Sequence, residues 1–409
     1  LLFFRKEDAM KYRKYMHVGA LIVVSVLMAT VVFAGAPGPK PFLPNIPTGW
    51  SEVSPDPGFT YGDEQLTPSC SCSECDYRFF VRKGTVNKVL VFFNGGGACW
   101  DAMNCVYVPT YTQQVYETVI SKQLTTLTEV SEGEYGYVPI DEGIFDFSDC
   151  RNPFKDWYVV YLPYCTGDLF WGSSDYNYDG VDIHHHGFVN FMAVLDWMEK
   201  NFRCPLQVFV TGSSAGGYGA ILNYPYIRES FPLARVYALG DAANGVVGDG
   251  FIATADAKWN IQYASWILGD DISALTMEDI YSNIAAEYPF MKFAQYTTAW
   301  DATQTWFYNL QLDSNIYNPA QWNNVPDIVF GLWHSTMLSY THGTAENVPN
   351  YRYYIGEGTD HTIMRSDKFY TEDTAEGVSY SKWVRTMVDN PFGFLGGPLQ
   401  GLWRSVEAE

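Results

Sequence analysis

Charge is scarce in this chain, and positive charge is scarcer. Charged side chains make up 17% of the 409 residues, with 25 Lys and Arg against 46 Asp and Glu. The net charge of −21 repels polyanions, so nucleic acid is not an expected partner. There are no internal repeats and no low-complexity tracts, which sets aside solenoid and linker-rich architectures. Beyond one run near the N-terminus, no segment is long and apolar enough to span a bilayer.

What is abundant is aromatic: Phe, Trp and Tyr make up 17% of the chain. Low charge with many rings excludes disorder and indicates a large globular core, or a surface that contacts sugar or lipid. The N-terminus predicts export. Arg5, Lys6, Lys11, Arg13 and Lys14 form a basic region, residues 18–34 are uncharged and apolar, and Ala34-Gly35-Ala36 supplies a small-residue cleavage site. Residues 1–36 are therefore read as a signal peptide, with an uncleaved signal anchor as the alternative. They carry a net +3, so removal takes the charge from −21 to −24. A secreted or extracytoplasmic protein is expected, with no stable membrane insertion after cleavage. Eight cysteines (Cys70, Cys72, Cys75, Cys99, Cys105, Cys150, Cys165 and Cys204) fit an oxidising compartment. An even count favours disulfides over free thiols, and the Cys70–Cys75 cluster lacks the second Cys/His pair that zinc would require. Cys99 and Cys105 are near enough in sequence to close a small loop.

Residues 37–75 read as an extended lead-in rich in Pro and Gly. Residues 77–81 and 88–93 are β-rich runs around a Lys-Gly-Thr-Val-Asn turn and resemble a hairpin. WYVVYL (157–162) and LQVFV (206–210) are short apolar runs of the buried parallel type. Residues 235–239, 293–297 and 351–355 are further strands, and 188–202 has helical spacing. This interleaving predicts an α/β fold over 76–400: a mostly parallel sheet with helices on both faces. Two stretches break the repeat, about 101–150 and 253–289, and are read as lid or cap insertions over the strand ends, where α/β sites lie.

LQVFV runs into Thr211-Gly212-Ser213-Ser214-Ala215-Gly216-Gly217, a G-x-S-x-G motif at a strand-to-helix turn. Such a turn needs small residues two before and two after the nucleophile. Gly212 and Gly216 meet that need for Ser214; Thr211 and Ala215 meet it poorly for Ser213. The run VLVFF ends in Asn94-Gly95-Gly96-Gly97, where glycines let backbone N–H groups approach a substrate carbonyl. An oxyanion hole is expected from Gly96 or Gly97 together with Ala215. Three histidines follow Ser214: His334, His342 and His361. His361, on a loop after YRYYI, is the candidate base, whereas His334 reads as structural. Asp301, after a penultimate strand, is the candidate acid and Asp241 the runner-up; Asp360 would have to reach its own neighbour. The run His184-His185-His186 is read as a helix start or pocket wall, not a metal site, because adjacent residues in extended chain face opposite ways. No cofactor or metal is expected.

At these motifs the chain resembles the pectin acetylesterase/Notum family of carboxylesterases. The matching stretches are FFNGGGACWDAMNC, YLPYCTGDLFWGSS, VTGSSAGGYGA, FAQYTTAWDATQ and the Gly-Thr-Asp-His segment. The resemblance implies an α/β-hydrolase-like fold, Ser214 as nucleophile, Asp301 as acid and His361 as base. It also implies oxyanion donors in the Gly95–Gly97 turn and a Cys99–Cys105 bridge. The expected activity is hydrolysis of an acyl, chiefly acetyl, ester on a carbohydrate or related alcohol through an acyl-enzyme, with an acylated polysaccharide or small acyl ester as partner. Where the Notum branch has an aromatic residue in the oxyanion turn, this chain has Gly97. A lipase- or acyl-protein-deacylase-like activity on the same residues is the alternative, and a non-catalytic carbohydrate-binding or adhesion protein is a further one.

Overall fold

A computed structural model describes residues 43–72, 76–113, 141–312, 315–373, 377–389 and 403–407. The expected signal peptide over 1–36 lies outside the described residues, as do residues 114–140 and Cys75.

The longest apolar runs form the middle of the sheet. In chain order the strands are β1 (Trp50–Val53), β2 (Phe79–Arg82), β3 (Lys88–Phe93) and β4 (Tyr158–Leu162). A short pair follows, β5 (Ser174–Tyr178) and β6 (Val181–His185). Then come β7 (Gln207–Ser213), β8 (Arg235–Asp241), β9 (Phe293–Thr298), β10 (Tyr351–Gly356) and β11 (Val406–Glu407). All but β5 and β6 join one sheet in the order β1-β2-β4-β3-β7-β8-β9-β10-β11. The pairings from β4 to β11 are parallel, and β2 is antiparallel to both β1 and β4. This is the mostly parallel α/β-hydrolase-like sheet that the interleaved pattern predicts. Separately, β5 and β6 pair as a two-stranded hairpin.

One pairing differs from expectation. The runs that contain β2 and β3 are not a hairpin, because β4 lies between them: Phe80 pairs with Tyr161, and Val91 with Val160. The connecting turn wraps the start of β4. Thr85 N and Val86 N both donate to Asp156 O (2.8 and 3.2 Å), and a Cβ on Gly84 would stand 2.3 Å from Tyr158 N. A strand apolar at every position needs both edges paired and both faces covered, and this placement supplies both.

Alternation along β3 divides the core. Val89, Val91 and Phe93 pack on one face with Phe188, Phe191 and Val194 of helix α1 (Gly187–Asn201) and with Ile221 and Leu222 of α2 (Ala215–Ser230). Further helices are α3 (Phe251–Trp259), α4 (Met277–Glu287), α5 (Ala302–Gln311) and α6 (Asp327–Asn347). Leu90 and Phe92 pack on the other face with Phe145, Tyr161 and the Trp383 and Met387 side chains of α7 (Tyr380–Asp389). Each such large side chain removed from water contributes roughly 1.5–3 kcal/mol. Within the first expected insertion, Ile144 and Phe145 are buried in the second core, where Phe145 packs against Phe92.

Two bridges are described, Cys70–Cys165 and Cys99–Cys105, and Cys72 is also disulfide-bonded. Cys150 and Cys204 are free and exposed, so the even count does not translate into complete pairing. Cys70 and Cys165 are 95 residues apart, Cys99 and Cys105 only 6. In the chain-entropy account, the long loop restricts the unfolded state by about 4–5 kcal/mol and the short one by about 2 kcal/mol. Replacing the Cys70–Cys165 pair by serines should accordingly lower stability in urea titration more than replacing the Cys99–Cys105 pair. Alkylation of the denatured, unreduced protein followed by peptide mapping should mark Cys150 and Cys204, and none of Cys70, Cys99, Cys105 or Cys165.

Candidate active site

The turn from β7 to α2 is tight because its glycines allow nothing larger. A Cβ on Gly212 would lie 2.3 Å from Gly216 O, and one on Gly216 would lie 2.0 Å from Phe93 O at the end of β3. Between them Ser214 has φ 55° and ψ −126°, a left-handed conformation strained for a residue with a side chain. The hydroxyl sits at the N-terminus of α2, where the Ala215 N–H belongs to the first turn and lacks an intrahelical acceptor. Ser213 is different. It is fully buried, and its Oγ donates to Asp241 Oδ2 at 2.6 Å.

Asp241 closes β8 and is fully buried. Its carboxylate also accepts from Ile363 N (3.1 Å) and Met364 N (3.0 Å), and its carbonyl accepts from Ser214 N at 2.7 Å. Burial raises its pKa, although these hydrogen bonds work the other way. It holds the loop that carries His361 without hydrogen-bonding to the imidazole.

Asp301 does make that bond. Its two oxygens lie 3.0 and 2.9 Å from His361 Nδ1. Asp301 caps α5: Gln304 N donates to Oδ1 at 2.8 Å, and Gln304 Nε2 donates to Oδ2 at 3.0 Å. Gln304 in turn accepts from Asn244 N at 2.9 Å, so the carboxylate is held from two sides. Sequence reading missed Gln304. The Asp301-Ala-Thr-Gln304 spacing of a capping box was the available signal.

Burial acts against a charged imidazole at His361, but the facing Asp301 and the more distant Asp241 outweigh it, and the pKa is raised above its ordinary 6.5. Nε2 is buried and has no hydrogen-bond partner. His361 and Ser214 both border a cavity of about 230 Å³. With its Nδ1 side taken by a carboxylate, His361 keeps Nε2 free of other protein partners.

The cavity wall is mainly apolar, including Trp100, Leu169, Val246, Phe251, Leu275 and Phe307. Ser273, Leu275 and Met277, from the second expected insertion, line it, as does Phe251 just before that stretch. Gly97 and Ala215 border the cavity, whereas Gly96 stands one residue back with its carbonyl accepting from Thr112 N at 2.8 Å. Gly97 has φ 77°, and a Cβ there would meet Thr110 O at 2.0 Å. The Cys99–Cys105 loop and the Gly97–Tyr111 bridge brace this turn from behind.

A third buried carboxylate, one that sequence reading missed, shapes the wall. Asp168 accepts from Thr166 Oγ1 (2.6 Å), Phe170 N (3.2 Å), Gly172 N (3.2 Å) and Gly187 N (2.7 Å). Burial pushes its pKa up to about 6 against these bonds. It stabilises two consecutive left-handed residues, Leu169 (φ 59°) and Phe170 (φ 62°).

The remaining candidates lie elsewhere. His334 Nδ1 approaches Ala299 O at 2.6 Å and the ring stacks on Trp300; His342 pairs with Glu407 at 3.0 Å; Asp360 pairs with Lys368. His186 precedes α1 as a helix start, and none of the three consecutive histidines lines the cavity.

With this geometry described, comparison with known proteins is informative. The sequence profile described as Pectinacetylesterase matches residues 73–354, more than half of the chain. The chain belongs to the pectinacetylesterase family. It is 30% identical over 157 residues to the palmitoleoyl-protein carboxylesterase NOTUM of Schmidtea mediterranea, a match covering 37% of this chain and 27% of that protein. It is 26% identical over 191 residues to pectin acetylesterase 5 of Arabidopsis thaliana, covering 45% and 39%. The matches thus span well under half of these relatives. Among solved structures, the Wnt deacylase Notum from Drosophila superposes with a TM-score of 0.56 at 17% identity, covering 84% of this chain and 93% of that one. At that identity the likeness speaks for the fold.

The raised pKa has a sign that can be tested. A base whose folded pKa is raised favours the folded state below its unfolded value, and that contribution is lost as pH rises through the folded value. NMR titration of the ring should place His361 above 6.5. In Asp301→Asn, which still caps α5, burial dominates and the value should fall below 6.5.

Proposed function

We propose that the chain is a secreted serine carboxylesterase in which Ser214, His361 and Asp301 act as nucleophile, base and acid on an acyl ester. The observation that carries this reading is the engagement of His361 Nδ1 by Asp301, with Nε2 left without a partner and both His361 and Ser214 bordering one cavity. His361 Nε2 takes the Ser214 proton as Oγ attacks the ester carbonyl. The oxyanion accepts hydrogen bonds from the backbone N–H groups of Ala215 and of Gly97 or Gly96. His361 then protonates the departing alcohol, and water activated by the same nitrogen hydrolyses the acyl-enzyme. Asp301 holds the imidazole in the tautomer this sequence needs.

Family membership supports ester hydrolysis, and the relatives' names include an acetylesterase and a palmitoleoyl-protein carboxylesterase. The first reading of the substrate is an acetylated carbohydrate or related small ester. The net charge of −21 disfavours the polyanion pectin relative to a neutral polysaccharide. A second reading, an ester of a longer acyl chain, is favoured by the apolar lining and the cavity volume of about 230 Å³, more than an acetyl group fills. Export is supported by the N-terminal pattern and by the two described bridges, which belong to oxidising compartments. Among the described residues no helix is long and apolar enough to cross a membrane.

Acetyl, butyryl and palmitoyl aryl esters, assayed beside acetylated pectin and xylan, separate the two substrate readings by relative kcat/KM. Ser214→Ala should abolish hydrolysis of every ester turned over. Ser213→Ala should keep the chemistry and cost about 1–3 kcal/mol of stability, through the lost bond to buried Asp241. Asp301→Asn should lower kcat by about 10⁴ while remaining folded. Retained turnover in Ser214→Ala would overturn the assignment. In the wild type, kcat/KM should fall as pH drops through the raised His361 value, since the protonated ring cannot accept the serine proton.

A further inference from the structure

The consecutive histidines gain a different meaning from the β5–β6 hairpin. Asp175 on β5 is the direct cross-strand partner of His184 on β6. His186, two residues further, returns to the face of His184. Three side chains from two strands and a helix start therefore converge, none of them among the residues that line the cavity. Their ligand atoms all lie within 4.8 Å of one another.

The hydrogen bonds around His186 decide its protonation. Nδ1 lies 2.9 Å from Thr67 O and 2.8 Å from Ser69 Oγ. A carbonyl only accepts, so Nδ1 carries a proton, and Nε2 is the nitrogen left to face Asp175. That Nε2 is buried, on a residue 4% exposed, and lies 3.0 Å from Asp175 Oδ1. A nitrogen and a carboxylate oxygen that close are held together by a cation, either a proton or a metal ion. His184 Nδ1 closes on the same Asp175 oxygen, adding a third donor to the same point.

We infer that Asp175, His184 and His186 form a binding site for a divalent ion of the zinc class. Two imidazole nitrogens and one carboxylate oxygen are a donor set that zinc takes at about 2.0–2.2 Å, with solvent free to complete a tetrahedron from the side of half-exposed Asp175. An imidazole nitrogen must give up any proton to ligate the ion, so binding is expected to release protons. The outer support is built in. Thr67 O orients His186, Ser71 O accepts from His184 N at 3.1 Å, and the Cys70–Cys165 bridge anchors the segment between them. Occupied, the site would pin the β5–β6 hairpin to the start of α1 and to the 67–71 segment.

The test uses the full chain without an affinity tag, stripped with chelator and titrated calorimetrically with Zn²⁺, with Mg²⁺ as the hard-ion control. One Zn²⁺ per chain should bind with proton release, and Mg²⁺ should not bind. Co²⁺ should give the visible absorption bands of a four-coordinate site. Asp175→Asn and His184→Gln, both away from the cavity, should each weaken Zn²⁺ binding by more than about 100-fold, beyond the loss expected from an outer partner alone. Their metal-free circular dichroism should match that of the wild type. His186 is too buried to serve as the test residue. Failure of the wild type to bind Zn²⁺, or undiminished binding in both folded variants, would overturn the inference without touching the esterase reading.

Discussion

A single buried carboxylate holds the candidate site together. Asp241 receives the Ser213 hydroxyl through one oxygen, the amides of Ile363 and Met364 through both, and the Ser214 amide through its own carbonyl. The strained serine turn and the loop behind His361 are thereby tied to the same strand end. A buried ionisable group without such partners would cost several kcal/mol, so the geometry of both loops is the condition under which Asp241 can be buried at all. The glycines complete the constraint from the other side: Gly216 lies against Phe93 O so closely that no side chain fits between the serine turn and the end of β3.

Much of this was legible in the sequence, and the reason differs by element. The runs VLVFF, YVVYL and LQVFV read as buried strands because they are nearly continuous in apolar and aromatic side chains, which a sheet covered on both faces requires. The Gly212–Gly216 spacing around Ser214 was legible because steric exclusion leaves a mark in residue size. Strand order was less so. Neighbouring β-rich runs suggest a hairpin, but β4, some seventy residues downstream, takes the place between β2 and β3 for reasons that lie in non-local pairing. Asp241 and Asp301 show the same limit. Both follow strands, and only the folded loops reveal that the first supports the backbone while the second meets the imidazole. Gln304 and Asp168 passed unnoticed because a buried polar role depends on which amides come to surround it.

The histidine run shows what a local rule leaves out. Adjacent residues in a strand do face opposite ways, and His185 indeed turns inward, with Tyr178 at 2.9 Å and Thr166 O at 2.9 Å. The relevant pair is His184 and His186, and its third member comes from across the hairpin, which no linear spacing announces. The cysteines are a parallel case: parity indicates the compartment, while pairing depends on which thiols the fold brings together, and Cys150 and Cys204 are left exposed.

Two successive left-handed residues under the grip of Asp168, Leu169 and Phe170, shape the cavity wall, Leu169 lining it and Phe170 packed in the core behind. Each costs roughly 1–2 kcal/mol in a conformation that side-chain-bearing residues avoid. That cost falls on folding, before any ligand arrives. A guest entering the cavity meets a wall already in its final shape and need order little of it. Calorimetry of such an association would be dominated by dehydration of ring and aliphatic surface, with a negative heat-capacity change and little contribution from loop ordering.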